Sequence, residues 1–342
     1  NTIIGLALIG LLIVGMGIIN RPSKDEIEAE RLRRITEMQQ QDSLAREAER
    51  RAAETLALQQ AAELNVQETA STPDSASQAL LNHRFGGFAS VAVGQEERVV
   101  LENEEMELTF SNLGGRPYRA NLKQYQTHDS LPLYLFDGDS TVFALQFFAG
   151  GKSINTGNLY FTPTFEEGQD EEGRSFKQLT MSLQPDEHTS LAYVYRLYDG
   201  DYMLDFDLQT RGFDVFGIDQ MNFDLEFYAP SQEKGYSNEA MYTTLYYKFH
   251  GGDVESFKTR SKKEVESADE TTRIKWIAYS HQFFSTILIA DEAFSGANMS
   301  QHRFNDPGKY VRFYSSSIGI PLERSPEEAL GVRIYVDPNR FT

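Results

Sequence analysis

The sequence predicts a large antiparallel β-sandwich that follows one membrane-spanning helix and a helical stalk. Three observations lead to this prediction: an uncharged apolar run near the N-terminus, a helix-favouring segment after it, and period-two alternation over the rest of the chain. The 23 Phe, 17 Tyr and single Trp all lie at or beyond Phe85. The first 83 residues are therefore expected to lie outside the core of the sandwich.

The first element is the apolar run IIGLALIGLLIVGMGII at residues 3–19. At about 1.5 Å per residue it is roughly 26 Å long, just enough to cross the hydrocarbon core of a bilayer. A cleaved signal peptide would need a small-x-small site after the run, but the run ends in Ile-Asn-Arg-Pro instead. We therefore expect an uncleaved anchor over residues 1–22 that contacts membrane lipid through residues 3–19.

The orientation of this anchor rests on two opposing observations. Arg21 and Lys24 follow the run and, taken alone, favour a cytoplasmic location for its C-terminal side. The large acidic domain without cysteine is easier to place outside the cytoplasm. We expect the N-terminus inside and the large domain outside the cytoplasm.

The second element is a charged segment at residues 23–64, rich in Ala, Glu, Arg, Gln and Leu. These residues favour helix, and Ser23 with Glu26 forms a capping-box pattern. Its apolar stripe is broken, so it is either a solvated stalk or a partner-binding helix. In the second case the binding residues would be Ile27, Ile35 and Leu56. Residues 65–83, which include ETASTPDSASQ, have the composition of a flexible linker.

The third element, residues 84–342, alternates apolar with polar residues. A period of two indicates strands with one buried face, and Gly-containing pairs that favour turns separate them. Strands at this spacing predict one large all-β, antiparallel sandwich. The alternating apolar residues are Met106, Leu108, Phe110, Tyr202, Leu204, Phe206, Leu208, Met221, Phe223, Leu225 and Phe227.

The composition excludes several functions. The chain carries 51 Asp and Glu against 32 Lys and Arg, for a net charge of −19, so no nucleic acid partner is expected. The chain has no cysteine, which excludes disulfides, Cys-based zinc sites and a thiol nucleophile.

Sequence motifs that carry chemistry are also absent. The sequence has no phosphate-binding GxxxxGK[ST], GxGxxG, HExxH or GxSxG motif, and its six histidines are never paired at metal-ligand spacing. The turns Asp137-Gly138-Asp139 and Asp199-Gly200-Asp201 are predicted as hairpin turns rather than calcium loops, and the run EEGQDEEG at 166–173 as a solvated loop. No catalytic residue, metal site or cofactor is therefore predicted.

The stretch KWIAYSHQFFSTILIA at 275–290 allows two interpretations. His281 near Trp276 and two phenylalanines could form a site, but the sequence identifies no acid–base partner for His281. A buried strand is the favoured interpretation, with Trp276 as a core anchor. The neighbours expected to be buried with it are Ile277, Phe283, Ile287 and Ile289.

Four stretches, in this order, carry a resemblance to a known family. They are the apolar run followed by Asn-Arg-Pro, LENEEMELTFSNLGGRPYRANLKQY at 101–125, KWIAYSHQFFSTILIA at 275–290, and GVRIYVDPNRFT at 331–342. Together they resemble the first periplasmic domain of YidC, the bacterial membrane protein insertase. The matching positions, expected to be structural, are Gly114, Gly115, Leu122, Lys123, Tyr125, Trp276, Ala278, Gln282, Phe284 and Pro338. Asp337 departs from the glycine that the family usually has before that proline.

The resemblance implies a β-supersandwich similar to sugar mutarotases. It also implies a role in inserting and folding inner-membrane proteins, with or without the Sec translocon. The partners would then be nascent chains, and Sec translocon subunits are a further candidate. The transmembrane helices that carry out insertion in that family are absent from this sequence. Two alternatives remain: a carbohydrate-binding or carbohydrate-active periplasmic protein with a mutarotase-like fold, and an adaptor whose stalk binds a translocon subunit.

Overall fold

The computed structural model describes residues 75–138, 141–216, 218, 221–258, 263–304, 307–321 and 327–339. The predicted anchor, its lipid contacts and the predicted stalk, including Ile27, Ile35 and Leu56, lie outside these residues. Neither helix within the described ranges is long and apolar enough to cross a membrane.

Helix α1 spans Ser75–Phe85 and leads into a 3₁₀ helix at Gly86–Val91. Phe88 of this segment is buried, and its ring centroid lies 5.5 Å from that of Phe147. The range 65–83, predicted as a flexible linker, is thus helical from Ser75. Its Ala-Leu-Leu sequence favours helix, and the phenylalanines that follow fix it to the sandwich.

The first sheet is small and contains four antiparallel strands in sequential order. Its strands are β1 (Arg98–Glu102), β2 (Met106–Ser111), β3 (Arg116–Gln126) and β4 (Pro132–Asp137). Met106, Leu108 and Phe110 of β2 are buried, as the period-two pattern predicts.

The second sheet has six strands in the order β14-β17-β18-β11-β5-β6. The strands are β5 (Val142–Ala149), β6 (Lys152–Asn155), β11 (Met221–Pro230), β14 (Val265–Glu270), β17 (Gly296–Arg303) and β18 (Tyr310–Ile320). All its pairings are antiparallel. Met221, Phe223, Leu225 and Phe227 lie on the buried face of β11.

The third sheet has nine strands in the order β13-β12-β15-β16-β19-β10-β9-β8-β7 and is also antiparallel throughout. Its first four strands along the chain are β7 (Thr162–Gln169), β8 (Ser175–Leu183), β9 (Ser190–Tyr198) and β10 (Met203–Arg211). The others are β12 (Thr244–Phe249), β13 (Val254–Ser256), β15 (Ile274–Ser280), β16 (Phe284–Phe294) and β19 (Glu327–Pro338). Helix α2 (Tyr236–Tyr242) lies between β11 and β12, and two short 3₁₀ helices span Thr156–Asn158 and Asp214–Phe216.

One hydrophobic core joins the three sheets. At its centre the ring of Phe143 lies 4.2 Å from that of Phe223 and 5.6 Å from that of Phe206, while Tyr195 stacks on Phe206 at 5.0 Å. These rings come from both large sheets, which is the arrangement of a sandwich. The prediction of an all-β, largely antiparallel architecture is confirmed.

The predicted hairpin turns can be located in part. Gly200 has a φ of +69° and lies in the turn between β9 and β10, a backbone conformation that glycine adopts without strain. Gly138 has a φ of +110°, and Asp137 before it pairs with Arg119, with 2.6 Å between Nε and Oδ1. Asp139 lies outside the described residues.

Candidate functional site

Four separate segments meet at one end of the sandwich, which we call the turn end. They are the β3–β4 turn (127–131), the segment 231–242 that contains α2, the β15–β16 turn (281–283), and Asn339 after β19. The backbone N–H of His128 donates to Gln232 O at 3.0 Å, and the N–H of Asn339 donates to Phe283 O at 2.6 Å. These bonds join parts of the chain that are far apart in sequence.

Glu239 is the central acidic residue of the turn end, and its side chain is 0% exposed. Its carboxylate accepts hydrogen bonds from Ser231 Oγ at 2.8 Å and from the backbone N–H of Gln232 at 2.7 Å. Burial would raise the pKa of Glu239, but the nearby His281 ring and these two donors outweigh burial and hold that pKa below its ordinary value. Glu239 is therefore a buried carboxylate that holds the preceding loop to α2.

His281 lies beside Glu239 and is 4% exposed. Its Nδ1 is 3.9 Å from Glu239 Oε1, which is too long for a direct hydrogen bond. Within the described part of the chain neither ring nitrogen has a hydrogen-bond partner, although the backbone N–H donates to Phe284 O at 2.7 Å. The structure thus supplies the carboxylate neighbour of His281 that the sequence could not identify.

Arg312 of β18 fixes the C-terminal end of α2. Its Nη2 donates to the carbonyl oxygens of Ala240 at 2.9 Å and Thr243 at 2.5 Å, which are among the carbonyls that a helix end leaves unpaired. Burial lowers the pKa of this guanidinium. Glu239 therefore joins α2 to the loop before it, and Arg312 joins the C-terminal end of α2 to β18.

Asn339 closes the β15–β16 turn. Its Nδ2 donates to His281 O at 3.3 Å and its Oδ1 accepts from Ser285 Oγ at 2.7 Å. Phe283, at the tip of this turn, is 44% exposed. The expectation that Phe283 is buried is therefore wrong, because the turn projects its side chain away from the strands on either side.

A general acid and base must reach a substrate to act on it. Glu239 and His281 are both enclosed, so neither can contact a solvent-borne sugar in this conformation. Their bonds instead fix the loop, helix and turn of the turn end. The geometry of this pair therefore indicates a structural role for Glu239 and His281 themselves.

Three residues of the family motifs, from three distant stretches, come together at the turn end. The ring of Tyr125 lies edge-on to Phe284 at 5.2 Å, and Phe284 is paired across the sheet with Pro338. This contact ties the end of β3 to the β15–β16 hairpin and to the last strand. The resemblance predicts these positions individually, but the sequence does not reveal their contact.

The other motif residues on β2 and β3 lie elsewhere. Gly114 and Gly115 form the β2–β3 turn with φ values of +85° and +62°, and a Cβ on Gly115 would lie 3.0 Å from the Phe161 ring. Leu122 is fully buried in β3. Lys123 Nζ donates to Glu102 Oε2 at 2.6 Å and to Asn103 O at 2.7 Å. These contacts fix the first sheet.

Trp276 and Ala278 lie on the outer face of the nine-stranded sheet. Trp276 is half-buried and is paired with Ile289 and Lys248, while Ala278 is paired with Ile287 and Tyr246. Ile287 and Ile289 are also half-buried, whereas Ile277 on the opposite face is fully buried. The interpretation of Trp276, Ile287 and Ile289 as core residues is therefore wrong. Gln282, in the β15–β16 turn, is half-buried, and its backbone oxygen accepts from Asn339 Nδ2 at 3.4 Å.

Sequence reasoning missed Glu239, Arg312 and Asn339. Glu239 is one of 51 acidic residues, and only the fold distinguishes it from those on the surface. Arg312 is one polar residue in an alternating strand. Asn339 falls within the fourth family-like stretch, which was the one available signal.

Comparison with known proteins identifies the family. The model of the YidC periplasmic domain matches residues 98–342. A membrane protein insertase YidC of Parabacteroides distasonis is 32% identical over 100% of this chain and 52% of its own length, and that of Porphyromonas gingivalis is 31% identical over 100% of this chain and 51% of its own length. The chain thus spans about half the length of these curated relatives.

Solved structures that resemble this chain are much less similar to it in sequence. A crystal structure of a GalM/aldose epimerase homologue from C. elegans covers 72% of this chain and 100% of its own, with 10% identity and a TM-score of 0.40. A similarity of this size supports no assignment of activity. The family model, in contrast, covers most of the chain, and the chain belongs to the YidC periplasmic domain family.

Proposed function

We propose that this chain is the membrane-anchored periplasmic part of a YidC-type insertase and that it assists the insertion and folding of inner-membrane proteins. The observation that carries the proposal is the family match over residues 98–342, together with alignment of the whole chain to proteins named as insertases. Residues 3–19 would anchor the chain in the inner membrane through lipid contacts. Nascent inner-membrane proteins would be its partners, and Sec translocon subunits are a further candidate partner.

The proposed role is binding rather than catalysis. The enclosed Glu239 and His281 fit this role, because they fix the turn end and are closed to a soluble substrate. The outer face of the nine-stranded sheet supplies a candidate contact surface. One row of paired side chains, Tyr246, Ala278, Ile287 and Tyr335, crosses four neighbouring strands on that face. A continuous row of this kind suits contact with an apolar segment.

Site-specific photo-crosslinking in intact cells tests the proposal. A crosslinker at Trp276, on the same face, should label a stalled nascent inner-membrane protein more strongly than a stalled secreted protein. Phe148 is a matched control because it is 66% exposed on the other large sheet. If crosslinkers at Trp276 and at Phe148 each labelled the two stalled chains equally, the result would contradict the proposal.

The same method tests the stalk. Crosslinkers at Ile27, Ile35 and Leu56 should label a translocon subunit if the stalk binds a partner. Labelling of lipid and water alone would identify the stalk as a spacer and leave the role of the sandwich unaffected.

A further inference from the structure

Strand β7 forms one edge of the nine-stranded sheet, and β8 is its only neighbour among the described strands. The strand is eight residues long, and most of its side chains are exposed on both faces. An edge strand presents unpaired backbone N–H and C=O groups that another chain can pair with. The length of β7 is sufficient for such pairing.

Pro163 shows which backbone groups of β7 point outward. Proline has no N–H, so in an edge strand its nitrogen faces away from the neighbouring strand. Residues separated by two along a strand share that direction. The N–H and C=O groups of Phe165 and Glu167 therefore point away from β8, whereas those of Thr164 and Glu166 point toward it.

Phe165 is an apolar side chain on the core side of the sheet that remains uncovered. It lies opposite Leu179, which is fully buried, so both side chains are on the inner face. Phe165 is nevertheless 55% exposed. An added strand would place a side chain opposite Phe165 and extend the apolar core by one position.

The negative charge of this edge indicates which kind of segment would bind it. Glu166 and Glu167 are exposed on β7, and Asp170, Glu171 and Glu172 follow in the turn to β8. Lys177, which is paired with Glu167, has its Nζ bonded to Glu102 O at 3.0 Å. Two copies of β7 would repel each other if they paired edge to edge, whereas a basic segment would be attracted.

We propose that β7 is an acceptor edge for an extended, basic polypeptide segment, which adds to the sheet as a further antiparallel strand. Backbone bonds to Phe165 and Glu167 would give affinity, and an apolar residue opposite Phe165 with basic residues opposite Glu166 and Glu167 would give selectivity. This inference is independent of the insertase role and concerns a surface away from the turn end.

A short acetylated peptide with the sequence Thr-Lys-Lys-Val-Thr-Val-Thr is the matched probe, because in antiparallel register it places Val opposite Phe165 and the lysines opposite Glu166 and Glu167. We expect it to bind the full chain in detergent and to slow hydrogen exchange at the amides of Phe165 and Glu167. The amides of Thr164 and Glu166, already bonded to β8, should not change. A peptide with Glu in place of both lysines should not bind.

Two variants and one modified peptide separate strand addition from simple charge attraction. Glu166→Lys with Glu167→Lys should weaken binding about tenfold, since each exposed ion pair contributes modestly. Glu171→Lys with Glu172→Lys makes the same change in net charge next to the edge and should weaken binding much less. N-methylation of the peptide at the Val opposite Phe165 and at the Lys opposite Glu167 should abolish binding. Undiminished binding of the N-methylated peptide, or equal losses in the two double variants, would overturn the proposal.

Discussion

The aromatic centre of the sandwich and the buried Glu239–His281 pair of the turn end are held in place by different interactions. The centre consists of rings from both large sheets, such as Phe143, Phe206 and Phe223, which meet at distances of 4.2 to 5.8 Å. The turn end is held by hydrogen bonds that side-chain oxygens accept, such as those of Glu239 from the Gln232 N–H and of Asn339 from Ser285 Oγ. The stabilisation that comes from burying apolar surface does not depend on the orientation of the buried groups. The contribution of a hydrogen bond, in contrast, depends on the distance and direction of its donor and acceptor.

This difference predicts different responses to substitution. A truncated ring in the centre loses contacts in proportion to the volume removed, because the neighbours can relax partly into the space. A truncated group at the turn end leaves buried donors without an acceptor, and the cost depends on their number and on pH. The free energy of unfolding should therefore depend on side-chain size for substitutions at the centre, and on protonation for substitutions at the turn end.

The largest effect is expected at the aromatic centre. Phe143→Ala should lower the free energy of unfolding by about 3–5 kcal/mol, because the ring is almost fully buried among other rings. Phe148→Ala on the same strand is the control and should cost well under 1 kcal/mol, since Phe148 is mostly exposed. Denaturant unfolding of both variants measures the difference, and equal losses would show that the centre is not tightly packed.

The next prediction compares substitutions on the two faces of β15. Ile277→Ala should cost about 2–5 kcal/mol because Ile277 is fully buried, whereas Trp276→Ala on the half-buried face should cost about 1–2 kcal/mol. The smaller side chain should thus have the larger effect. A greater loss for Trp276→Ala in denaturant unfolding would restore the interpretation of Trp276 as a core anchor.

The error about Trp276 has a specific structural cause. Ile274 and Ile277 are both buried although they are three positions apart, an offset that places residues of a regular strand on opposite faces, and the pairing of β15 with β16 shifts between Ile274 and Trp276. Such a bulge reverses the face on which the later side chains lie. Alternation counted from Ile274 would place Trp276 inside, and no residue in the stretch marks the bulge.

For regular strands, the sequence predicts which individual residues are buried. In β10 and β11 the alternating apolar residues are buried and the polar residues between them are not, because no register shift interrupts the period near them. The turn end could not be predicted in this way. It consists of turns, a short helix and a chain terminus, whose polar residues bond to partners up to 104 residues away.

The most informative effect is expected for Glu239→Gln. The glutamine can keep one acceptor oxygen but loses the charge, so the free energy of unfolding should fall by about 2 kcal/mol at pH 7. Because the pKa of Glu239 is lowered in the folded chain, its contribution is complete above the ordinary carboxyl pKa of about 4.3 and is lost as pH falls through the lowered value. The difference between the wild-type chain and the variant should therefore shrink as the solution is acidified.

Glu171→Gln is the control for this titration, because it removes the same charge from an exposed loop. Its unfolding curves should follow those of the wild-type chain at each pH. A constant difference between Glu239→Gln and the wild-type chain from pH 7 down to about pH 3 would mean that the charge of Glu239 does not stabilise the turn end. In that case the turn end would be held by packing, as the aromatic centre is, and the contrast between the two regions would not hold.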